Sequence, residues 1–489
     1  MEPKHVVVVG GSVAGLGAGL ALSQEGHRVT LLERDDTPLP AAPADALVEW
    51  DRRGAPQVFH SHAFLGRLYC MVRDRAPDLL AKLLEYGADE LTFQRMARPV
   101  FGDIEPEPGD EDIVLLACTR TTFEWVLRRY ILDSGRVEFR EGVGVQGLVA
   151  SQPATGVPTV TGVRLDSGET LAADLVLDAT GRRSKISNWL EAIGVPRLRE
   201  LSEPCGITYS SRFYRVRPGA KPPLFEGGLG ADLGYIKYGI FPGDAGVFSI
   251  TLSTSPDDPP MRRVLRPDGF DAAARAIPAV AAWVDPDVSE PVTPVHSFSN
   301  LKNTRRFLVE DGEPVALGVL AVGDSGAHAN PITGRGCSFA WITAYLVAEA
   351  LRKHPDDLRG LALEVNDGIE REIAPWFKLQ IDSDRDAIAV AEAVRAGRDP
   401  YASTGLDGEA DAKAARRSLM RDGLRPAMRN HLFVMRAFMR AMNLLDPPAD
   451  LLKRPELMKA VLEAYQERDT REVPVLGPGR QEMIDLLAA

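Results

Sequence analysis

Residues 6–33 read VVVVGGSVAGLGAGLALSQEGHRVTLLE and determine the architecture of the N-terminal part of the chain. The four consecutive valines, Val6 to Val9, are typical of a strand that is buried on both faces. A glycine-rich turn, a helix of small residues, a second strand and Glu33 follow in that order. This succession predicts a βαβ unit that binds a dinucleotide.

Each residue type in this unit has a physical role. Gly10 permits the sharp turn, Ser12 is small enough for close approach, and Gly15 lets the helix pack on the strand. The N–H groups at the helix start attract a pyrophosphate, and Glu33 accepts hydrogen bonds from ribose hydroxyls. The predicted cofactor contacts are Gly10, Ser12, Val13, Ala14, Gly15, Glu33, Arg34 and Val145.

Three later features add to the first one. An apolar strand ends in Gly323-Asp324, and a loop with Pro331, Gly334 and Gly336 then opens a long apolar helix. Asp324 is placed to bind a ribose or ribityl hydroxyl, and the amides of residues 334–337 can stabilise an anion. The others are a buried strand with a polar turn at 174–184, and Arg120, which starts a helix and could reach a phosphate. The G-x-G-x-x-G at 142–147 is rejected, because β-like sequence follows it.

In combination, these features resemble the FAD-dependent monooxygenases of the para-hydroxybenzoate hydroxylase-like fold, over roughly residues 4–350. The segment QVFHSHAFL at 57–65 is similar to the Q-x-x-H-x-H-x-L-L of a subgroup that contains bacterial polyether epoxidases, with Phe64 in place of the first leucine. Residues 438–448 are similar to that subgroup too. The resemblance implies FAD as cofactor, Arg120 at its phosphates and Asp324 at its ribityl side. It implies that Pro331, Gly334 and Gly336 lie beside the flavin ring. Arg335 is a further flavin-proximal candidate, and His60 and His62 have either a flavin-proximal or a packing role, with His62 the candidate for the site.

One departure from the family concerns the reductant. Single-component hydroxylases carry A-D-G-x-x-S in the polar turn, whereas this chain has Thr180 in place of the aspartate. The resemblance therefore leaves two possibilities open: NAD(P)H binds directly, or a separate flavin reductase supplies the electrons. Asp178, two residues earlier, is expected to have a structural role.

Composition limits the remaining classes. The 489 residues carry a formal net charge of −12, which disfavours nucleic acid as a partner. The predicted fold is α/β: a Rossmann-like FAD-binding domain at 1–185 and 301–365, a β-rich substrate domain at 186–300, and a helical region at 366–489. No run of residues is apolar enough for a transmembrane segment, and we expect a cytoplasmic protein. Four scattered cysteines and the pair His60 and His62 predict neither disulfides nor a metal site.

Some patterns allow two interpretations. The methionines from Met428 to Met442 recur at helical spacing, which indicates one face of a helix in the core or beside a substrate channel. Residues 411–440 carry eight Lys/Arg and two Asp, either a solvated face or a docking site for a reductase or an anionic ligand. Tyr235 and Tyr238 line the pocket or pack in a sheet, and His328 lies near the cofactor or packs in its loop.

The expected activity is that of a monooxygenase. Reduced flavin and O2 form a C4a-hydroperoxide, which transfers one oxygen atom to a small apolar substrate, and alkene epoxidation is the preferred version. The alternatives are an aromatic hydroxylase, a flavin-dependent saturase similar to geranylgeranyl reductases, a flavin-dependent halogenase, or a carrier that does not use FAD. The halogenase alternative lacks the W-x-W pair, since all six tryptophans are isolated.

Overall fold

A computed structural model describes residues 2–151, 156–223, 230–402, 411–472 and 475–488. The strands are β1 His5–Val9, β2 Arg28–Leu32, β3 Asp89–Thr92, β4 Val114–Ala117, β5 Val137–Arg140, β6 Val145–Ser151, β7 Thr159–Leu165, β8 Thr170–Ala172, β9 Leu175–Asp178, β10 Glu200–Pro204, β11 Thr208–Val216, β12 Gly230–Asp232, β13 Ile236–Pro242, β14 Val247–Thr254, β15 Ser289–Pro291, β16 His296–Phe298, β17 Lys302–Arg306, β18 Val309–Glu310, β19 Glu313–Pro314, β20 Val319–Ala321 and β21 Ala327–His328. The helices are α1 Val13–Gln24, α2 Pro43–Glu49, α3 Gly66–Arg75, α4 Pro77–Glu85, α5 Phe93–Phe101, α6 Arg120–Ser134, α7 Ile186–Ala192, α8 Pro267–Ala276, α9 Pro278–Ala281, α10 Gly336–Lys353, α11 Leu358–Glu372, α12 Ala374–Arg395, α13 Ala412–Ser418, α14 Arg425–Asn430, α15 Leu432–Met442, α16 Pro455–Gln466 and α17 Arg480–Ala488.

A parallel five-stranded sheet organises the N-terminal part, in the order β20-β9-β1-β2-β5. Its central strand β1 is buried on both faces, as its valines predict. Val6 and Val8 join the core of α1, α6 and α10, whereas Val7 and Val9 join a second core with β7 and α7. The carboxyl ends of β1, β9 and β20 therefore meet at one edge of the sheet.

A large antiparallel sheet, β12-β13-β14-β11-β15 with β16 beside β11, forms the centre of the β-rich part. One face is apolar and packs on α8, while Tyr235 and Tyr238 also face this core, which favours their sheet-packing interpretation. The opposite face carries Ser211, Ser249 and Thr251 from facing positions on β11 and β14. The hairpin between β13 and β14 contacts α6: Asp244 accepts hydrogen bonds from the Thr119 N–H at 2.6 Å and the Thr122 hydroxyl at 2.8 Å.

The C-terminal part is helical, as the sequence predicts, but one helix is not continuous. His431 has extended backbone, which separates α14 from α15, so the prediction of a single methionine-lined helix is wrong. Met435 and Met439 pack with Phe93 and Ile113, and this contact favours the core interpretation.

Four of the seven arginines in 411–440 pair with acids. Arg417 binds Asp386, and Arg436 binds Asp110. Arg440 contacts Asp446, so much of the positive charge of this segment is matched by carboxylates outside it.

The strands of the parallel sheet come from the two segments assigned to a FAD-binding domain. The domain boundaries themselves stay a prediction. Among the helices that the structure describes, none is long and apolar enough to cross a membrane.

Candidate functional site

The turn after β1 is closely packed and admits little beyond glycine. Gly10 has φ +112°, and a Cβ atom there would lie 2.5 Å from the carbonyl oxygen of Ala179, at the end of β9. A Cβ atom on Gly15 would lie 1.8 Å from the carbonyl oxygen of Gly10. Helix α1 thus starts directly against the edge of the sheet, as these glycines predict.

Two helices begin at this edge without a side-chain cap. Ser12 stands at the N-cap position of α1, but its hydroxyl donates to Glu124 at 2.7 Å instead of accepting from the helix. Arg335 stands at the N-cap position of α10 and gives no cap either. Among the described residues, no acceptor binds the N–H groups of the first turns, residues 13–15 and 336–338. These positions are mostly buried, so their N–H groups call for an external acceptor.

A buried cluster of charges lies under the glycine-rich turn. Arg52, 1% exposed, contacts Glu124 at 2.8 Å, Asp35 at 2.8 Å and Glu33 at 3.2 Å. Burial lowers the pKa of Arg52, but Glu124 and Glu33 outweigh it and raise the pKa above its ordinary value. Burial raises the pKa of Glu124, but Arg52 and Arg120 lower it to about 2.

Glu33 occupies the place that the sequence predicts, at the end of β2. Its carboxylate accepts hydrogen bonds from the N–H groups of Gly11 at 3.0 Å and Asp35 at 2.9 Å. These bonds fix its orientation beside the turn, and its remaining lone pairs are open to a hydroxyl.

Arg120 joins the turn to the segment 57–65. Its guanidinium donates to Ser12 at 2.9 Å, to Glu124 at 3.0 and 3.3 Å, and to the Cys337 sulfur at 3.3 Å. A long contact of 3.5 Å reaches Nε2 of His62. All five N–H donors therefore have protein partners, and a cofactor phosphate would have to displace one of them.

The segment 60–62 connects this cluster to the antiparallel sheet. His60 Nδ1 lies 3.1 Å from the Ser211 hydroxyl, and the Ser61 hydroxyl lies 2.7 Å from Ser249 and 2.6 Å from Thr251. His62 Nδ1 lies 2.9 Å from the carbonyl oxygen of His60, so this nitrogen carries the proton. Burial lowers the pKa of both imidazoles to about 3. The neighbouring His62 lowers the pKa of His60 further, and Arg120 lowers that of His62 further. Both rings are therefore neutral.

The loop after β20 completes the site. Asp324 accepts from His328 Nδ1 at 3.0 Å, and a Cβ atom on Gly336 would lie 3.7 Å from the Asp324 carboxylate. Burial raises the pKa of Asp324, but His328 and Arg120 outweigh it, so the carboxylate stays ionised. Gly334 has φ +68°, and a Cβ atom there would lie 3.0 Å from the carbonyl oxygen of Ala63. The structure thus brings Asp324, Gly334, Gly336 and His62 together.

The polar turn after β9 lies beside this loop. Asp178 accepts from the N–H of Thr180 at 3.0 Å and its hydroxyl at 2.6 Å, and from the Ser184 hydroxyl. The Gly181 N–H donates to the Ser325 hydroxyl at 2.8 Å. Asp178 therefore holds the turn itself, the structural role that the sequence predicts.

Three predicted positions lie at the margin. Arg34 is exposed, Val145 packs at the edge of the second core, and the Arg335 side chain turns away toward α12, where it donates to Gln380 at 2.9 Å. Arg52 is the important residue that sequence reasoning missed. Nothing in the local sequence marks it, since its partners come from distant segments.

The site is compatible with FAD. Two buried helix starts without caps suit the pyrophosphate and an anionic ring system, and Glu33 and Asp324 suit the hydroxyls of ribose and ribityl groups. In the described ranges, no group of three or more His, Cys, Asp or Glu side chains could hold a metal ion.

The chain is similar to known proteins in its N-terminal unit and over most of its length. A family model of pyridine nucleotide-disulphide oxidoreductases matches residues 5–53. Protein Rv3254 of Mycobacterium tuberculosis is 28% identical over 414 residues, which cover 78% of this chain and 81% of that protein.

Two solved structures share the fold. The flavin-dependent brominase Bmp2 has a TM-score of 0.58 at 16% identity, and the match covers 96% of this chain and 100% of the brominase. PqsL of Pseudomonas aeruginosa, a probable FAD-dependent monooxygenase, has a TM-score of 0.52 at 16% identity, covering 80% of this chain and 96% of PqsL. The predicted fold class, an α/β fold with a Rossmann-like parallel sheet, a β-rich part and C-terminal helices, is confirmed. The narrower likeness to polyether epoxidases stays a prediction.

Proposed function

We propose that the protein is a FAD-dependent monooxygenase, which transfers one oxygen atom from O2 to a small organic substrate, with alkene epoxidation as the preferred reaction. The observation that carries the proposal is the pair of buried helix starts without caps, at residues 13–15 and 336–338. They lie at one edge of the parallel sheet, each with an acid beside it, Glu33 and Asp324. This arrangement suits the ADP part and the flavin part of one FAD molecule.

The chain's own residues bind and orient the cofactor. The N–H groups at the start of α1 hold its pyrophosphate, and Glu33 accepts from a ribose hydroxyl. The N–H groups at the start of α10 stabilise negative charge on the ring system. Reduced FAD supplies the activation of O2, which no amino-acid side chain provides.

The segment 60–62 joins the site to the antiparallel sheet. It is bound to the sheet through Ser211, Ser249 and Thr251, while Gly334 lies against Ala63 on the other side. Neutral side chains at this boundary, once the cofactor and substrate are bound, would favour oxygen transfer over loss of the activated oxygen to water. The neutral His62 adds a lone pair at Nε2, which faces Arg120.

FAD binding and turnover test the proposal. The purified protein should bind FAD stoichiometrically, and Asp324→Ala should weaken binding about tenfold or more, because a buried hydrogen bond to a carboxylate is lost. With an alkene substrate and reduced cofactor, one atom of ¹⁸O2 should appear in the product. A protein that binds no FAD, or that forms a product without ¹⁸O, contradicts the proposal.

The source of electrons is the second part of the proposal. Thr180 donates to Asp178 and provides no carboxylate toward a nicotinamide cofactor, so we favour a separate flavin reductase. Anaerobic mixing of the FAD-loaded protein with NADH or NADPH decides this question. Rapid bleaching of the flavin without a reductase would show direct use of NAD(P)H. A cytoplasmic location is expected of either system.

A halogenase is the second candidate, because the match to the brominase extends over 96% of this chain, including its C-terminal helices. Adding bromide to the turnover assay separates the two reactions. A brominated product would favour the halogenase, whereas an oxygenated product whose yield does not change with bromide would favour the monooxygenase.

A further inference from the structure

Arg182 lies where the loop after β20, the polar turn after β9 and the large antiparallel sheet meet. It is the middle residue of the short helical turn Gly181–Arg183 after β9. The hydrogen bond from the Gly181 N–H to Ser325 fixes this turn beside Asp324. The guanidinium carbon lies 4.2 Å from the ring centre of Phe298, on β16 of the sheet.

The Arg182 guanidinium has no hydrogen bond and no ion pair to any residue in the described ranges, although the side chain is only partly exposed. The other arginines of the site differ in this respect. Arg52 and Arg120 are saturated with carboxylate, hydroxyl and sulfur acceptors, and Arg306 contacts Glu200 at 3.1 Å. A partly buried guanidinium with five free donors therefore remains at this junction.

Its surroundings leave the positive charge largely uncompensated. Burial lowers the pKa of Arg182, and the neighbouring Arg183 lowers it further, whereas Tyr209 and Asp324 oppose them. The Asp324 carboxylate is hydrogen-bonded to His328. The nearby imidazole of His60 is neutral.

Aromatic rings surround the same point. The ring of His60 lies edge-on to Tyr209 at 4.8 Å and 5.1 Å from Phe298, and Tyr209 and Phe298 are 5.8 Å apart. These rings belong to the sheet and to segment 57–65, not to the turns that bind the dinucleotide. Tyr209 and His60 are buried, whereas Phe298 is partly exposed, so a flat apolar body can pack beside Phe298 while Arg182 binds a charged group at its end.

We propose that Arg182 binds the carboxylate of an organic substrate whose flat apolar body packs beside Phe298. A guanidinium pairs with a carboxylate through two parallel N–H···O bonds, which gives both affinity and orientation. The inference rests on the proposed function and sharpens it: the substrate is an amphiphilic acid rather than a wholly apolar molecule.

Calorimetric titration of the FAD-loaded protein with 2-naphthoate and its neutral isostere 2-naphthamide tests this site. Arg182→Gln removes the charge but keeps hydrogen-bonding capacity, and Arg182→Lys keeps the charge without the fork. Arg183→Gln is the matched control, since Arg183 is exposed and lies in the same turn. We expect 2-naphthoate to bind the wild type, to bind Arg182→Gln about tenfold more weakly or worse, and to bind the control unchanged.

Further measurements identify the group that Arg182 binds. Phe298→Leu should weaken 2-naphthoate and 2-naphthamide alike, because it removes packing rather than charge. FAD affinity should be the same in the wild type and in Arg182→Gln. If Arg182→Gln loses affinity for FAD but not for 2-naphthoate, the guanidinium serves the cofactor and the proposal is wrong. Equal affinity of the wild type for the acid and the amide also overturns it. These binding measurements do not depend on turnover, so a failure of the monooxygenase proposal would be seen separately.

Discussion

Replacing Arg52 by methionine tests whether the buried charge cluster supports the glycine-rich turn. The guanidinium is 1% exposed and contacts three carboxylates, from Glu33, Asp35 and Glu124. Removing one partner of a buried ion pair costs about 3–5 kcal/mol, because the remaining charge stays buried without compensation. Glu124 keeps Arg120 at 3.0 Å, so we expect the lower end, about 3 kcal/mol.

Urea unfolding at neutral pH, followed by circular dichroism, measures this loss. Arg53→Met is the matched control. The neighbouring arginine is 82% exposed and, among the residues that the structure describes, forms an ion pair with Asp51 alone, so its removal should change the free energy of unfolding by about 0.5 kcal/mol or less. Arg52→Lys keeps the charge and should recover part of the loss. FAD affinity should also fall in Arg52→Met, since Glu33 and Gly11 lose a common neighbour.

The pH dependence gives an independent check. In the wild type, the depressed pKa of Glu124, about 2, contributes stability above its ordinary value of 4.5, and this contribution is lost as the pH falls from 4.5 toward 2. Without Arg52, the pKa of Glu124 rises and less stability is present to lose. The difference between wild type and Arg52→Met should therefore shrink below pH 4.5. A loss under about 1 kcal/mol with the same pH profile would refute the role of the cluster.

Three further predictions follow from the site. Gly15→Ala should weaken FAD binding about tenfold or more in a fluorescence titration, because its Cβ would meet a backbone oxygen at 1.8 Å. Gly19→Ala in the same helix is the control: the nearest atom to its Cβ would be 3.6 Å away, so alanine should be tolerated there. Burial lowers the pKa of His60 and of His62 from 6.5 to about 3, so protons bind the unfolded state first and stability falls as the pH drops from 6.5; each imidazole should account for a loss of about 2 kcal/mol at pH 5, and His60→Gln should remove its own share of this slope in thermal unfolding while the share of His62 remains. Gln380→Leu should shift the flavin midpoint potential, since Gln380 binds the loop before α10, while Lys378→Met on the exposed side of the same helix should leave the potential unchanged.

Local signals predicted the βαβ unit well, and physical chemistry explains why. The turn at Gly10 and the helix start at Ser12 depend on neighbours within a few residues, so their sequence determines their geometry. The roles of Asp324 and Gly334 could be predicted for the same reason, because they lie at a strand end and in a loop before a helix. The pair Arg52 and Glu124 was not, because 72 residues separate them and neither position has a local pattern.

The C-terminal part shows the same limit. The spacing of its methionines fits one helix, yet α14 ends at Asn430 and α15 begins at Leu432, after the extended residue His431, so the periodicity alone does not reveal the break. The role of α12 was also hidden from the sequence. Asp384 accepts hydrogen bonds from Asn303 at 2.7 Å and Asn330 at 2.8 Å, across long stretches of chain.

The contacts of Arg120 and Arg52 bear on how the protein would hold the pyrophosphate of FAD. Arg120 was expected to reach it, but all five of its N–H donors are engaged, and the Arg52 cluster holds three carboxylates against two guanidinium groups. The positive potential at the turn therefore comes mainly from backbone N–H groups at the start of α1. Backbone donors are fixed by the fold, and the guanidinium groups nearby are already engaged with protein acceptors, so the position of α1 decides where the phosphate lies. That position depends on Gly15, on the Arg52 cluster and on Asp244, which holds the start of α6 from the antiparallel sheet. The cofactor site and the substrate-facing sheet are thus joined through α6, and a change in the hairpin at Asp244 should alter cofactor binding at a distance.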